Sequence, residues 1–255
     1  MSITQEFYDN LAVHYNKLFL DWQETTKEQA VILDKIFSDN GYSREARVLD
    51  CACGIGTQTM GLASLGYNMA GSDISSKEVI EAKWEAIRRN LEIRFEFADF
   101  CNLADRFKEK FDIIIAIDNA LPHASSKEML KKAVESIVDR LEEGGMFVAS
   151  IRDYDELLKT KPPYSPPYIH KTENGQRVSF QTWEWEGEKY KLVQYIIEDE
   201  KDLTINKFEC EYRATRRAEL TELLTACGCK TVEWKVPEET GFYQPIVIAK
   251  KFSEI

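Results

Sequence analysis

Apolar residues recur at helical spacing through the first forty positions. They recur every three to four residues from Phe7 to Phe37, which places them along one face of a helix. This spacing is interrupted between Leu20 and Thr26, and Gly41 follows the last apolar position. The pattern predicts two helices, in a segment 1–40 that covers part of the remaining fold.

Downstream, short apolar runs alternate with segments of helical periodicity. The run 113–117 is apolar throughout, as expected for a strand covered on both faces. Ser75 or Ser76 is expected to cap one helix, and Gly144-Gly145 to end another. The predicted strands are 47–51, 68–73, 93–98, 112–117 and 146–152, and the predicted helices are 57–65, 76–90 and 127–141. This alternation predicts a doubly wound, mostly parallel, Rossmann-like sheet of the α/β class.

The pattern changes after residue 152. Four prolines within 161–167 predict a loop. Thr215 is expected to cap a helix over 215–226. Three long antiparallel strands are predicted at 176–186, 188–200 and 203–213, and two further strands of the main sheet, about seven in all, at 231–236 and 245–250. We therefore predict a core of 41–152 and 214–255 with an antiparallel substrate-lid insertion, 153–213, above the carboxyl ends of the parallel strands.

Composition and charge narrow the function classes. The 255 residues are 44% hydrophobic, enough to bury a core, and carry 33 Lys+Arg against 44 Asp+Glu. The net charge of −11 disfavours nucleic acid or an anionic membrane surface as partner. No apolar run approaches the roughly 20 residues of a membrane span, and the first ten residues do not resemble an export signal, so a cytoplasmic protein is expected.

The six cysteines are expected to be reduced thiols rather than metal ligands. Cys51 and Cys53 are separated by one residue, as are Cys227 and Cys229. Zinc sites of the Cys₄ type use spacers of about two to four residues. No metal is therefore expected.

A glycine turn follows the first predicted strand of the sheet. Gly54 and Gly56 permit a tight turn and a close approach of a ligand to the backbone. Thr59 stands where a dinucleotide-binding fingerprint has its third glycine, and no Gly-Lys-Ser/Thr sequence follows. The turn therefore suits a ligand smaller or less charged than a dinucleotide, with an ordinary tight turn as the alternative.

Polar side chains follow three more of the predicted strands. The Asp73 carboxylate could accept hydrogen bonds from both hydroxyls of a ribose. Asp99 could accept from an exocyclic amine, and Phe100 could stack on a purine. Asn119 and His123 follow the fourth strand. Each alone is also typical of a helix cap or a solvated loop, but together they indicate a nucleoside-binding cleft.

These residues resemble the class I S-adenosylmethionine-dependent methyltransferases. Asp73 and Asp99 fall where later motifs of that family fall. The string Leu49-Asp50-x-Ala52-Cys53-Gly54-x-Gly56-Thr57 is similar to its first motif, and Leu141-x-x-Gly144-Gly145 to a later one. The resemblance implies S-adenosylmethionine as cofactor, S-adenosylhomocysteine as product, and cofactor contacts from Tyr15, Cys53, Gly54, Gly56, Asp73, Ile74, Asp99, Phe100 and Asp118.

A narrower similarity is to the glycine and glycine/sarcosine N-methyltransferases. It rests on Tyr8-Asp9, Tyr15 and Asp21, on Asn119 with His123, on Arg152-Asp153-Tyr154-Asp155, on Pro162-Pro163, and on Gly241-Phe242-Tyr243-x-Pro245. It implies Asn119, His123, Arg152 and Tyr243 as catalytic residues, with Arg152 holding a substrate carboxylate. Asp153 stands where that family has an asparagine, and Asp118 stands where the animal enzyme has a glycine. Lys27 is a candidate for the cofactor carboxylate.

The expected reaction is therefore methyl transfer to an amine nitrogen of a small carboxylate-bearing acceptor. Alternatives are O- or S-methylation of another small molecule, a non-catalytic S-adenosylmethionine-binding protein, and an oxidoreductase using NAD or a nucleotide sugar. Arg152 could instead form a salt bridge with Asp153 or Asp155. Trp183 and Trp185 could wall the pocket or pack within the sheet. A homo-oligomer formed through the insertion is left open.

Overall fold

Two β-sheets organise the chain in a computed structural model that describes residues 2–173 and 175–252. The strands are β1 (Arg47–Asp50), β2 (Asn68–Asp73), β3 (Arg94–Phe97), β4 (Phe111–Ala116), β5 (Leu141–Ser150), β6 (Tyr168–Thr172), β7 (Gly175–Glu186), β8 (Lys189–Asp199), β9 (Leu203–Arg213), β10 (Cys229–Lys235) and β11 (Ile246–Lys251). The larger sheet has the order β10-β11-β5-β4-β1-β2-β3, and the smaller one β6-β7-β8-β9.

The larger sheet is parallel except at one edge. β11 runs antiparallel to both β5 and β10, whereas β1 to β5 pair in parallel. The strand order reverses at β1, which lies between β2 and β4. In open α/β sheets, ligands bind at such a point, outside the carboxyl ends of the strands. The α/β, doubly wound prediction of seven strands with an antiparallel addition is confirmed.

Helices cover both faces of the larger sheet. They are α1 (Ile3–Leu11), α2 (Trp22–Asp39), α3 (Thr57–Ser64), α4 (Ser76–Arg88), α5 (Lys127–Asp139), α6 (Tyr154–Thr160), α7 (Arg217–Ala226) and α8 (Pro237–Thr240), with 3₁₀ segments at Ala12–Leu18, Phe100–Asp105 and Leu121–His123. Ile113 and Ile115 pack in one cluster with residues of α2 and α3, and Ile114 packs on the opposite face with α5 and α7. All three are fully buried, which explains the continuous apolar run of β4.

Two helix boundaries correct the expectations from sequence. α5 ends at Asp139, and Leu141 already pairs with Phe111, so Gly144 and Gly145 lie inside β5 and do not end the helix. α7 is preceded by Arg216 as N-cap, while the Thr215 hydroxyl donates to the carbonyl of Arg213, so Thr215 is not the cap. The pairing of Leu141 with Phe111 is a tertiary contact that outweighs the glycine signal, whereas the Thr215 hydroxyl is taken by a local contact two residues away. Ser75 does cap α4, since its hydroxyl accepts from Glu78 N at 3.1 Å.

The smaller sheet packs its inner face on the N-terminal helix. Phe7 and Leu11 of α1 join a buried cluster with Tyr190, Ile196 and Phe208 of β8 and β9. The sequence pattern missed α6 and β6 because they are short and flank the proline-rich stretch. The carboxylate of Asp153 begins α6 by accepting from Glu156 N.

Candidate functional site

Two adjoining cavities lie at the carboxyl edge of the parallel strands. The first, of about 370 Å³, is lined by the glycine turn and by residues at the ends of β2, β3 and β4. The second, of about 520 Å³, lies between the N-terminal helices, the residues after β5 and the inner face of the smaller sheet. Tyr8, Tyr15 and Asp118 line both cavities. The two cavities therefore meet at these three side chains.

The glycine turn is held in a conformation that favours glycine. Gly54 and Gly56 have φ values of +53° and +95°, both in the left-handed region. A Cβ on Gly56 would lie 2.7 Å from the terminal carbon of Met60. Gly54 lines the first cavity, whereas Gly56 lines neither cavity and begins α3 as its N-cap. Gly56 therefore shapes the turn without facing the cleft.

Asp73 presents a buried carboxylate to the first cavity. Its Oδ2 accepts from Gly54 N at 2.9 Å, and its Oδ1 accepts from Ser75 N at 2.8 Å. Burial raises the pKa of Asp73 to about 6, although these backbone donors oppose the rise. Each oxygen keeps acceptor capacity for another donor. The arrangement suits a pair of vicinal hydroxyls.

The other predicted cofactor contacts surround the same cavity. Asp99 accepts from Cys101 N at 2.8 Å and so starts the 3₁₀ segment that carries Phe100. Phe100 is half-buried and packs against the core below it. Of the predicted residues, the first cavity is lined by Tyr15, Cys53, Gly54, Asp73, Ile74, Asp99, Phe100, Asp118 and His123, and the second by Tyr15, Asp118, Asn119, Arg152 and Tyr243.

Glu78 is a lining residue that the sequence pattern did not single out as part of the cleft. Its side chain is 1% exposed, and neither carboxylate oxygen has a hydrogen-bond partner among the described residues. A Cβ on Gly54 would lie 3.2 Å from its Oε2. Burial, followed by the charges of Asp73 and Asp9, raises the pKa of Glu78 well above its usual value. The sequence showed Glu78 as an acidic residue in the first turn of α4. It did not show that this side chain is buried against the glycine turn.

We expect Glu78→Gln to stabilise the ligand-free protein at alkaline pH. Because the folded-state pKa is raised, the contribution of Glu78 is fully present below its ordinary pKa and is lost as pH rises through the folded value. Gln removes the buried charge, so the gain should be about 1–2 kcal/mol at pH 8.5 and near zero at pH 5. Thermal melting at both pH values measures it, with Glu81→Gln, half-buried one turn further along α4, as control. A gain of equal size at the two pH values would contradict this explanation.

The junction of the cavities has an unusual backbone. Asp118 and Asn119 have φ values of +58° and +67°, rare for residues other than glycine and a common feature of functional sites. The Asp118 carboxylate accepts from the Tyr243 hydroxyl at 2.7 Å and from Gln58 Nε2 at 2.9 Å. Asn119 Oδ1 accepts from Arg152 N at 3.0 Å, and its buried Nδ2 has no partner in the described part of the chain.

His123 is neutral and tied to the N-terminal helix. Its Nε2 lies 2.8 Å from the Tyr8 hydroxyl, and its ring lies 4.1 Å from that of Tyr212. Burial and the nearby charge of Arg152 lower the pKa of His123 to about 3. At neutral pH the neutral imidazole and the Tyr8 hydroxyl therefore share one hydrogen bond, whose donor is set by the tautomer of His123. Tyr8 was visible in the sequence only as part of the family resemblance.

Arg152 points its guanidinium into the second cavity. Its Nη1 donates to the Tyr190 hydroxyl at 2.7 Å, and its Nη2 donates to Gln181 Oε1 at 2.9 Å. The guanidinium lies 5.0 Å from the centre of the Trp183 ring and 5.3 Å from that of Tyr212. Two neutral acceptors take two of its five donors, so donors remain for a ligand.

The carboxylates next to Arg152 in sequence bind a different arginine. Asp153 and Asp155 lie 3.3 Å and 2.9 Å from Arg217. Among the described residues no carboxylate oxygen lies within 4.0 Å of the Arg152 guanidinium. The salt-bridge alternative for Arg152 is therefore wrong.

Lys27 and Trp185 lie away from the cleft. Lys27 is exposed, pairs with Glu24 at 3.0 Å and lines neither cavity, so it does not reach a cofactor. Trp183 lines the second cavity, but Trp185 packs on Tyr190 at 4.4 Å and does not line it. The described residues that line the first cavity include no lysine or arginine.

Comparison with known proteins agrees with this geometry. Residues 48–145 match the family described as methyltransferase domain. The chain contains a methyltransferase domain. This domain spans the glycine turn, Asp73, Asp99 and Asp118, and so includes most residues that line the first cavity.

Several named proteins resemble the chain. It is 24% identical to a glycine/sarcosine N-methyltransferase of Aphanothece halophytica, over 60% of this chain and 56% of that protein. It is also 24% identical to the glycine N-methyltransferase of Oryctolagus cuniculus, over 95% and 88%. The fold resembles an S-adenosylmethionine-dependent methyltransferase of Clostridium acetobutylicum ATCC 824, with a TM-score of 0.75, 19% identity and coverage of 97% and 99%. The matches to glycine/sarcosine enzymes span about half of those relatives.

The described residues offer neither a cluster of metal ligands nor a helix that could span a membrane. Within 2–173 and 175–252, His, Cys, Asp and Glu side chains form no group of three or more that could hold a metal ion. In the same ranges, no helix combines the length and the apolar character needed to cross a bilayer.

Proposed function

We propose that this protein transfers a methyl group from S-adenosylmethionine to an amine nitrogen of a small carboxylate-bearing acceptor. The observation that carries the proposal is the meeting of two cavities at Tyr8, Tyr15 and Asp118. One cavity has nucleoside-compatible chemistry, and the other contains Arg152, which has no carboxylate partner among the described residues. The methyltransferase domain and the named relatives support the same reaction class.

The first cavity suits S-adenosylmethionine in shape and charge. When bound there, the cofactor would supply an electrophilic methyl group on a sulfonium. Asp73 would accept from the ribose hydroxyls, Asp99 from the adenine amine, and Phe100 and Ile74 would contact the purine. The carboxylate of Asp99 in the lining complements the positive sulfonium.

The second cavity suits the acceptor. Arg152 would hold the acceptor carboxylate by a charge-assisted bidentate pair and so fix the position of the amine. Tyr8, Asp118 and Asn119 would direct the unprotonated amine toward the junction and exclude water from it. The neutral His123 would orient the Tyr8 hydroxyl. Tyr243 would hold Asp118 from the other side.

The proposal is tested with purified protein and methyl-labelled S-adenosylmethionine. We expect calorimetry to show binding of S-adenosylmethionine and S-adenosylhomocysteine, and mass spectrometry to show label on the nitrogen of a carboxylate-bearing amine. Absence of heat with both cofactor forms would end the proposal. Label on oxygen or sulfur would show that the acceptor atom is not an amine nitrogen. Cofactor binding without transfer to any acceptor in a metabolite extract would favour a non-catalytic binding protein.

A further inference from the structure

The second cavity is much larger than a glycine acceptor needs. Its volume of about 520 Å³ lies within the roughly 300–1,000 Å³ typical of sites for ligands of drug size. Its walls continue along the inner face of the smaller sheet past Gln181 to Ser179 and His170. A glycine held by Arg152 would leave this distal part empty.

The strand register shows how far the distal part lies from Arg152. Gln181 of β7 accepts from Arg152, while His170 of β6 pairs with Arg177, which lies four residues before Gln181 in β7. Four residues of an extended strand span about 13 Å. A ligand that contacts both Arg152 and His170 must therefore be an extended molecule.

His170 has an unused hydrogen-bonding group in this distal part. Its side chain is 7% exposed, and its buried Nε2 has no partner among the described residues. Burial, followed by the charge of Arg177, lowers its pKa, so the imidazole is neutral at neutral pH. A neutral imidazole has one donor and one acceptor nitrogen. It suits a hydroxyl or an amide better than a charged group.

The N-terminal segment contacts the smaller sheet at this end of the cavity. Arg177 Nη2 donates to the carbonyl of Phe19 at 2.7 Å, and Lys17 pairs with Glu198 of β8 at 2.8 Å. Phe19 itself lines the cavity. The His170 end of the cavity is thus walled in part by Phe19.

We propose that the acceptor is an α-amino acid with a long side chain, whose terminal hydroxyl or amide is bound by His170. Arg152 holds the carboxylate at one end, and His170 binds the far end through Nε2. The inference rests on the proposed function and extends it, because it excludes glycine and sarcosine as the preferred acceptors.

The test compares acceptors graded in length in the wild-type protein and in His170→Phe. The panel is glycine, sarcosine, norleucine, tyrosine and Nε-acetyl-lysine. We expect kcat/KM for Nε-acetyl-lysine to exceed that for glycine at least tenfold, with norleucine between them. His170→Phe should lower kcat/KM for Nε-acetyl-lysine about tenfold, the loss expected for one buried hydrogen bond, and leave glycine turnover and the Kd for S-adenosylmethionine unchanged.

Lys171→Ala is the matched control, because Lys171 is exposed on the same strand. Glycine turnover equal to or faster than that of the long acceptors would overturn the inference, as would an equal loss for every acceptor in His170→Phe. Cofactor binding without methylation of any panel member would overturn this acceptor class and leave cofactor binding standing. Absence of cofactor binding would instead defeat the proposed function itself. Thermal melting of each variant identifies loss of folding.

Discussion

Asp73→Asn should lower the affinity for S-adenosylmethionine about 100-fold. The carboxylate accepts from Gly54 N and Ser75 N and keeps capacity for two further donors. An amide group would turn its two N–H donors toward one of these backbone donors or toward a ribose hydroxyl. Loss of hydrogen bonds to a charged group costs about 1.5–3 kcal/mol each, so a loss of about 3 kcal/mol is expected.

Calorimetry with S-adenosylmethionine and S-adenosylhomocysteine measures this loss. Both forms carry the same ribose, so their affinities should fall by similar factors. Affinity of the wild-type protein should also fall as pH drops below about 6, because protonation of Asp73 removes an acceptor, and Asp73→Asn should flatten this dependence. Asp105→Asn, an exposed aspartate, is the control. An unchanged Kd in Asp73→Asn would refute the role given to this carboxylate.

Arg152→Met should lower kcat/KM for a carboxylate-bearing acceptor about 1,000-fold and leave the Kd for S-adenosylmethionine nearly unchanged. The guanidinium lies in the acceptor cavity, where its hydrogen-bond partners among the described residues are neutral. A substrate carboxylate would therefore form an ion pair that no described residue supplies. Removing one member of a buried charged pair costs about 2–5 kcal/mol. Arg152→Lys should recover only part of the loss, because an ammonium lacks the planar fork.

Steady-state kinetics with a saturating cofactor separates the effects on KM and kcat. Arg217→Met is the matched control, since Arg217 pairs with Asp153 and Asp155 and lines neither cavity. Equal losses of acceptor turnover and cofactor affinity in Arg152→Met would show that this arginine only supports the fold.

Local patterns in the sequence were sufficient for most of the architecture. The continuous run 113–117, the strand–glycine–helix pattern around Gly54 and the alternation of strands predicted the parallel sheet and the edge where ligands bind. Boundaries failed where a distant contact decided them. Leu141 begins β5 by pairing with Phe111, which overrides the usual role of Gly144 and Gly145 after a helix.

The sequence by itself determined the fold class, the glycine turn and the residue types at the strand ends, because each depends on spacing along the chain. Tertiary structure alone decided which charges are paired and which are not. Asp153 and Asp155 follow Arg152 closely in sequence, yet they pair with Arg217, which is about sixty residues away in sequence. The Arg152 guanidinium is therefore left to the cavity. The burial of Glu78 and the distance from Arg152 to His170 are likewise set by the packing of α1 and the smaller sheet against the core, which no local pattern encodes.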